Sequence, residues 1–189
     1  MENFHPLAHI SRTGQEQTIY DHLCGTASLA KEFARPFGGE MQAELAGFAH
    51  DIGKYSTAFQ KRLHGGPKTD HATAGALECF KRKQPFAALA VAGHHGGLPD
   101  GGSQMDASDQ PTLFGRIKRG EQGLLETYER WEQEVVLPQA GIPAWWMLTS
   151  WIRRPLWKGG AEIPTKLLWK NCGIISNATY PIGFHPKEN

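Results

Sequence analysis

Up to about residue 136 the chain carries apolar residues at helical spacing. Ile19, Leu23, Ala27, Ala30 and Ala34 share one helix face. Thr18, with Asp21 three residues on, marks the start of that helix, and Gly38-Gly39 its end. Met41, Leu45, Phe48 and Ala49 form a second stripe and predict a helix over 40–52, with Gly53 as its terminator. Asp70 is placed to cap a third helix that begins near His71. The run Lys81-Arg82-Lys83 suits the negative end of that helix's dipole. Pro85 fits the first turn of a fourth helix through about His94. The stretch from Gly96 to Gly102 is turn chemistry throughout. After Pro111, the residues Leu113, Ile117, Leu124, Tyr128, Trp131 and Val135 predict a fifth, longer helix. No segment alternates as a strand, so the expectation is an all-α fold.

Beyond residue 136 the pattern fails. Residues 137–189 hold six of the twelve prolines and no aspartate, and 145–169 hold five of the six tryptophans. Trp145-Trp146-Met147, Trp151 to Trp157 and Leu167-Leu168-Trp169 follow neither the helical nor the strand period. Disordered tails are usually poor in aromatic residues, so simple disorder does not account for this one. The division is therefore 1–136, helical, and 137–189, irregular.

Composition narrows the class. A chain of 189 residues and 20.9 kDa makes one domain with a short appendage. The longest apolar run, Phe86 to Ala92, is far below the roughly 18 residues of a membrane span, so no membrane partner is expected. Met1 to Pro6 lacks the charged head and apolar stretch of a secretory signal. Cys24, Cys79 and Cys172 are odd in number and far apart, which fits a reducing cytoplasm rather than a disulfide scaffold. The formal charge is +1, so any anionic partner must be argued from a local site.

The chain has nine histidines, and eight of them lie within residues 5–95. His22, His50-Asp51, His71 and His94-His95 all fall at or near ends of the predicted helices. Adjacent helical residues point about 100° apart, yet at a helix C-terminus both His50 and Asp51 can converge on an ion beyond the end. Gly93 and Gly96-Gly97 leave the two rings of His94-His95 free of neighbouring side chains. Each residue has an ordinary role when taken alone: His22 as a half-buried core histidine, His71 as a first-turn residue beside a capping Asp70, Lys54 as a solvated lysine. Together, six candidate ligands at the ends of four consecutive helices predict a metal centre in a helical bundle. An imidazole-rich set favours manganese, iron, cobalt, nickel or zinc over magnesium.

Four segments carry a family likeness. Asp21-His22-Leu23, His50-Asp51-Ile52-Gly53-Lys54, Asp70-His71-Ala72-Thr73-Ala74-Gly75 and Gly93-His94-His95-Gly96-Gly97-Leu98-Pro99 resemble the HD nuclease domain of type I CRISPR systems. Phe59-Gln60-Lys61-Arg62-Leu63 matches the same subgroup. The resemblance implies an HD-domain helical bundle that cleaves single-stranded DNA with two divalent transition-metal ions. It implies a superfamily 2 helicase, fused or separate, and an RNA-guided type I surveillance complex as partners. His22, His50 and Asp51 would bind one ion. Asp51, His71, His94 and His95 would bind the other, with Asp51 bridging, and Lys54 would reach a phosphate oxygen or the bound nucleophile. Lys61, Arg62, Lys68, Arg116, Lys118 and Arg119 are candidates to guide the strand. Two alternatives remain open: an HD phosphohydrolase acting on nucleotides, and an inactive metal-binding module that docks a partner.

The family also places a late aspartate ligand in a stretch like Leu-Val-Asp-Ala-Asp. No aspartate follows Asp109 here, so the resemblance implies an HD nuclease domain over 1–136 that is incomplete at its C-terminal end. Trp and Met have single codons, so Trp145-Trp146-Met147 fixes the bases TGG TGG ATG. One base earlier, these permit Leu-Val-Asp-Ala-Asp, and Trp151 to Lys158 permits Leu-Asp-Thr-Glu-Ala-Phe-Met-Glu. The expectation is that 137–189 is an aberrant tail translated in a shifted frame.

Overall fold

The structure is a computed structural model and describes residues 5–141, which lie within one compact unit, Met1–Leu148. The tryptophan-rich segment from residue 142 onward, where the shifted frame is expected, lies outside the described residues. The architecture is a helical bundle with one small hairpin. Among the described residues six α-helices are formed: α1 (Ile19–Ala34), α2 (Glu40–Ala49), α3 (Thr57–Leu63), α4 (Ala72–Lys81), α5 (Pro85–Gly93) and α6 (Leu113–Glu121). α1 packs on α2, α4 on α5, and α6 on α4. Their inward residues, among them Ile19, Leu23, Leu45, Ile52, Ala76, Val91 and Ile117, form one core. Among the described residues, no helix is long and apolar enough to cross a membrane.

The helix starts follow the cap chemistry. Thr18 Oγ1 accepts from the Asp21 amide at 3.1 Å at the head of α1. Asp70 Oδ1 accepts from the Ala72 and Thr73 amides at the head of α4, both at 3.1 Å.

Four expectations need correction. First, α2 stops at Ala49. Asp51 leaves helical geometry (φ −119°, ψ 15°), and Ile52–Tyr55 winds on as a 3-10 turn. That break turns Asp51 off the helix line. Second, the unpredicted α3 starts at Ser56, whose Oγ accepts from the Phe59 amide at 3.2 Å. Third, a strand pair is present: β1 (Leu7–Ile10) runs antiparallel to β2 (Glu16–Thr18). Leu7 pairs with Thr18 and His9 with Gln17, so Ala8 is an extra residue, a bulge. Strands of four and three residues are too short for alternation to show. Fourth, the long fifth helix is broken. α6 ends at Glu121 because Gly123 takes φ +69°, a conformation that ends helices. Leu124 is left exposed, while Trp131, in the separate 3-10 segment Glu129–Gln133, and Val135, just beyond it, reach the core.

The hairpin is tied to the bundle by Gln60 on α3. Its Oε1 accepts from the Leu7 amide at 3.0 Å, and its Nε2 donates to the carbonyls of Leu7 and Lys54, both at 2.9 Å. The Ile19 amide also donates to the Pro6 carbonyl at 3.0 Å. β1 is thereby fixed against the 3-10 turn that follows Asp51.

Candidate metal centre

Helix ends place the chemistry. His22 projects from the second turn of α1, His50 caps the C-terminus of α2, and Asp51 opens the 3-10 turn. His71 precedes α4, and His94 caps the C-terminus of α5 with His95 next to it. Gly53 allows this convergence: a Cβ there would overlap the carbonyl oxygen of His71, so any larger residue would push His71 away from Asp51.

All six predicted side chains come together around Asp51, which is buried. Its Oδ2 lies 2.8 Å from His22 Nε2 and 3.1 Å from His50 Nε2. Its Oδ1 lies 3.4 Å from His71 Nε2 and 3.3 Å from His94 Nε2. His95 joins at the far side, Nε2 to Nε2 with His71 at 2.7 Å. Lys54 is not the solvated lysine of its ordinary role. It is buried, with Nζ donating to Asp51 Oδ2 at 2.8 Å and to the Ala8 carbonyl at 3.3 Å, and with the Phe59 ring 5.2 Å away.

The backbone sets which ring nitrogen faces inward. A carbonyl can only accept, so His50 Nδ1–H donates to Gly47 O at 2.8 Å and His94 Nδ1–H to Val91 O at 2.7 Å. His71 Nδ1 makes a longer contact of the same kind with Thr69 O, at 3.4 Å. Each neutral ring therefore turns an Nε2 lone pair toward the centre. Orienting a ligand imidazole through its other nitrogen is the usual arrangement at metal sites.

Electrostatics agree. Burial alone raises the Asp51 pKa, but the surrounding imidazoles of His22, His50 and His94 outweigh it and hold the carboxyl well below the usual range. Burial lowers His71 to about 4, against the attraction of Asp51. His94 goes the other way: burial lowers it, but Asp51 raises it further.

Asp51 Oδ1 is buried without a hydrogen-bond partner. The approaches of His71 and His94 to it are ion-pair distances, not hydrogen bonds. Lone pairs of a carboxylate oxygen and two imidazoles thus converge in a buried space, which is repulsive unless a cation lies among them. Asp51, His71, His94 and His95 each offer a ligand atom within 4.8 Å of the others. The residues present fit a divalent cation.

The HD domain family matches the chain over residues 19–127, more than half of its length. The chain belongs to the HD-domain family. No curated protein matches it. HD domains are metal-dependent hydrolases, and the His/Asp cluster around Asp51 is where this HD domain would hold its metal.

One residue of the cluster escapes sequence reasoning. His9, on β1, has its Nε2 3.3 Å from Lys54 Nζ and its ring 4.8 Å edge-on to His22. A single histidine in a four-residue strand outside the helical pattern gives no sequence signal. The basic residues divide into two groups. Arg116 donates to Ala92 O at 3.2 Å and Arg119 to Ser108 O at 2.9 Å, while Lys118 donates to the carbonyls of Gln104 and Asp106. Lys118 and Arg119 thereby pin the loop before α6, and Arg116 ties α6 to the end of α5. Lys61 and Lys68 are exposed and Arg62 is half-buried.

Proposed function

We propose that this HD domain is a metal-dependent nuclease that cleaves single-stranded DNA, working with a superfamily 2 helicase and an RNA-guided type I surveillance complex in the cytoplasm. The observation that carries a two-ion hydrolytic centre is the two-sided use of Asp51. Imidazoles converge on both of its oxygens, and one oxygen lacks any donor. His22, His50 and Asp51 would hold one cation. Asp51, His71, His94 and His95 would hold the other. Paired transition-metal ions held there would supply activation of water and neutralisation of charge for phosphodiester hydrolysis.

The chain's own residues do the rest. Asp51 supplies negative charge shared by both lobes. The backbone carbonyls of Gly47 and Val91 hold His50 and His94 in one tautomer and orientation. With no cation bound Lys54 pairs with Asp51; displaced from it by a cation, the ammonium would be left to meet a phosphate oxygen. The choice of DNA over a free nucleotide is supported by the sequence stretch Gly93 to Pro99. It is also supported by the openness of that side: His95, Gly96, Gly97 and Leu98 are all exposed. A polymer can cross such an edge, whereas small-ligand pockets usually bury most of their ligand.

The test incubates the purified intact-frame form, with the 189-residue chain beside it as the form impaired by the missing late aspartate, with labelled single-stranded DNA, duplex DNA and nucleoside triphosphates, each with manganese, cobalt, nickel or magnesium. The expected result is cleavage of single strands, better with the first three ions than with magnesium. Hydrolysis of nucleotides without DNA cleavage would assign a phosphohydrolase. Bound metal with no hydrolysis of any substrate would assign a docking module.

A further inference from the structure

His22, His50 and the shared Asp51 offer three donor atoms to the first cation, one fewer than a tetrahedral ion takes and well short of an octahedral one. The described residues contain a further donor beside them. His9, His22 and Asp51 each present a ligand atom within 4.8 Å of the others. The Ala8 bulge shifts the register just before His9, which pairs with Gln17, and the Gln60 hydrogen bonds fix that part of β1 to the Asp51 turn. The arrangement is built rather than incidental: two elements far apart in sequence are clamped together at this point.

The same place already holds a positive charge. Lys54 Nζ sits 2.8 Å from Asp51 Oδ2, 3.3 Å from His9 Nε2 and 3.3 Å from Ala8 O. The ammonium has no acceptor lone pair, so His9 Nε2 must be the unprotonated nitrogen that accepts from it. A carboxylate, an imidazole lone pair and a carbonyl around one cation form a donor set that a divalent ion can also use. A dication has the stronger claim on it, because twice the charge meets the same carboxylate.

We propose that His9 supplies, through Nε2, a fourth ligand to the cation held by His22, His50 and Asp51. This rests on the metal-centre reading above. The strand pair is then part of the site.

The test is equilibrium dialysis of the full 189-residue chain against cobalt(II), with metal counted by mass spectrometry and ligation followed by the visible cobalt spectrum. The variants are His9→Ala and, as a reference for the other lobe, His94→Ala. Wild type should bind two ions. His9→Ala should keep one and weaken the second by about tenfold or more, with loss of part of the cobalt spectrum. His94→Ala should lose the ion that His9→Ala keeps. Two ions in His9→Ala with unchanged affinity and spectrum would overturn the role of His9 and leave the metal centre standing. No metal bound by wild type would overturn both. If His9→Ala melts below the assay temperature, nitrogen NMR of zinc-loaded wild type decides. A metal-shifted Nε2 on His9 supports ligation, and an unshifted one refutes it.

Discussion

Removing the Asp51 carboxylate should be the most damaging single change in this domain, even with no metal present. Asp51 and Lys54 form a buried ion pair whose side chains are 3% and 4% exposed. In Asp51→Ala the ammonium keeps only Ala8 O and His9 Nε2, both at 3.3 Å and both uncharged. Breaking a buried pair by deleting one partner typically costs about 3–5 kcal/mol. Relief of the lone-pair contacts with His71 and His94 acts the other way but is smaller. Neutral imidazoles carry partial charges, whereas Lys54 carries a full one. For a chain of this size the loss corresponds to a fall of roughly 10 °C in Tm. The assay is denaturant unfolding in chelator at pH 8, followed by circular dichroism, on wild type, Asp51→Ala and Asp51→Ala/Lys54→Met. The double variant should regain most of the loss, because replacing both members of a buried pair by apolar groups is close to neutral. A loss under about 1 kcal/mol in Asp51→Ala, or no recovery in the double variant, would refute the buried-pair argument. With metal restored, Asp51→Ala should lose both ions, and His71→Ala or His94→Ala only one. Wild-type metal content in Asp51→Ala would remove its bridging role.

Three further outcomes are expected. Gly53→Ala should cost about 1–3 kcal/mol and weaken metal binding, since the added methyl displaces His71 from Asp51; calorimetric unfolding and cobalt titration check both. The metal-free protein should be most stable near pH 6–7. His71, lowered from 6.5 to about 4, stays neutral when folded, so its contribution is lost as pH falls from 6.5 toward 4; His94, raised, contributes below 6.5 and loses that contribution as pH rises. A flat stability profile from pH 4 to 7 in chelator would contradict this. Sequencing of the gene around codons 137–145 should reveal a frame, one base earlier, that encodes Leu-Val-Asp-Ala-Asp and continues past codon 158. A stop codon short of that, or a missing second aspartate codon, removes the shifted-frame proposal.

How much of this is legible in the sequence depends on the length over which a signal repeats. α1 and α2 are predicted because each carries several apolar residues at helical spacing and a terminator, and α4 and α5 from Asp70, the basic run after Phe80 and Pro85. The hairpin is invisible, because a bulged four-residue strand against a three-residue one has no period to detect. The stripe from Leu113 to Val135 is continuous in sequence but not in space, because Gly123 ends the helix while Trp131 and Val135 still find the core. Periodicity reports burial more faithfully than it reports an unbroken element.

The site obeys a different logic. Six residues stand out because their types are rare and their places coincide with helix ends, and helix ends are what a bundle gathers at one point. That reasoning finds ligands on helices and is blind to ligands on other elements. It passes over His9, and taken alone it leaves Lys54 a solvated lysine, which only the family likeness draws into the site, when the turn after Asp51 folds it inward. Both misses have one cause. The break at Asp51 sends the chain into a 3-10 turn, and the Gln60 clamp then brings β1 against it. Neither event is written in the hydrophobic pattern. The clamp residue does stand in a stretch, Phe59 to Leu63, that carries part of the family likeness. Its hydrogen bonds give that stretch a physical role: it fixes the strand carrying His9 to the turn carrying Asp51 and Lys54. Gln60→Ala should therefore weaken the first ion more than the second in a cobalt titration, although Gln60 touches neither group of ligands. Equal weakening of both ions would mean that the clamp supports the fold as a whole and not the first ion in particular.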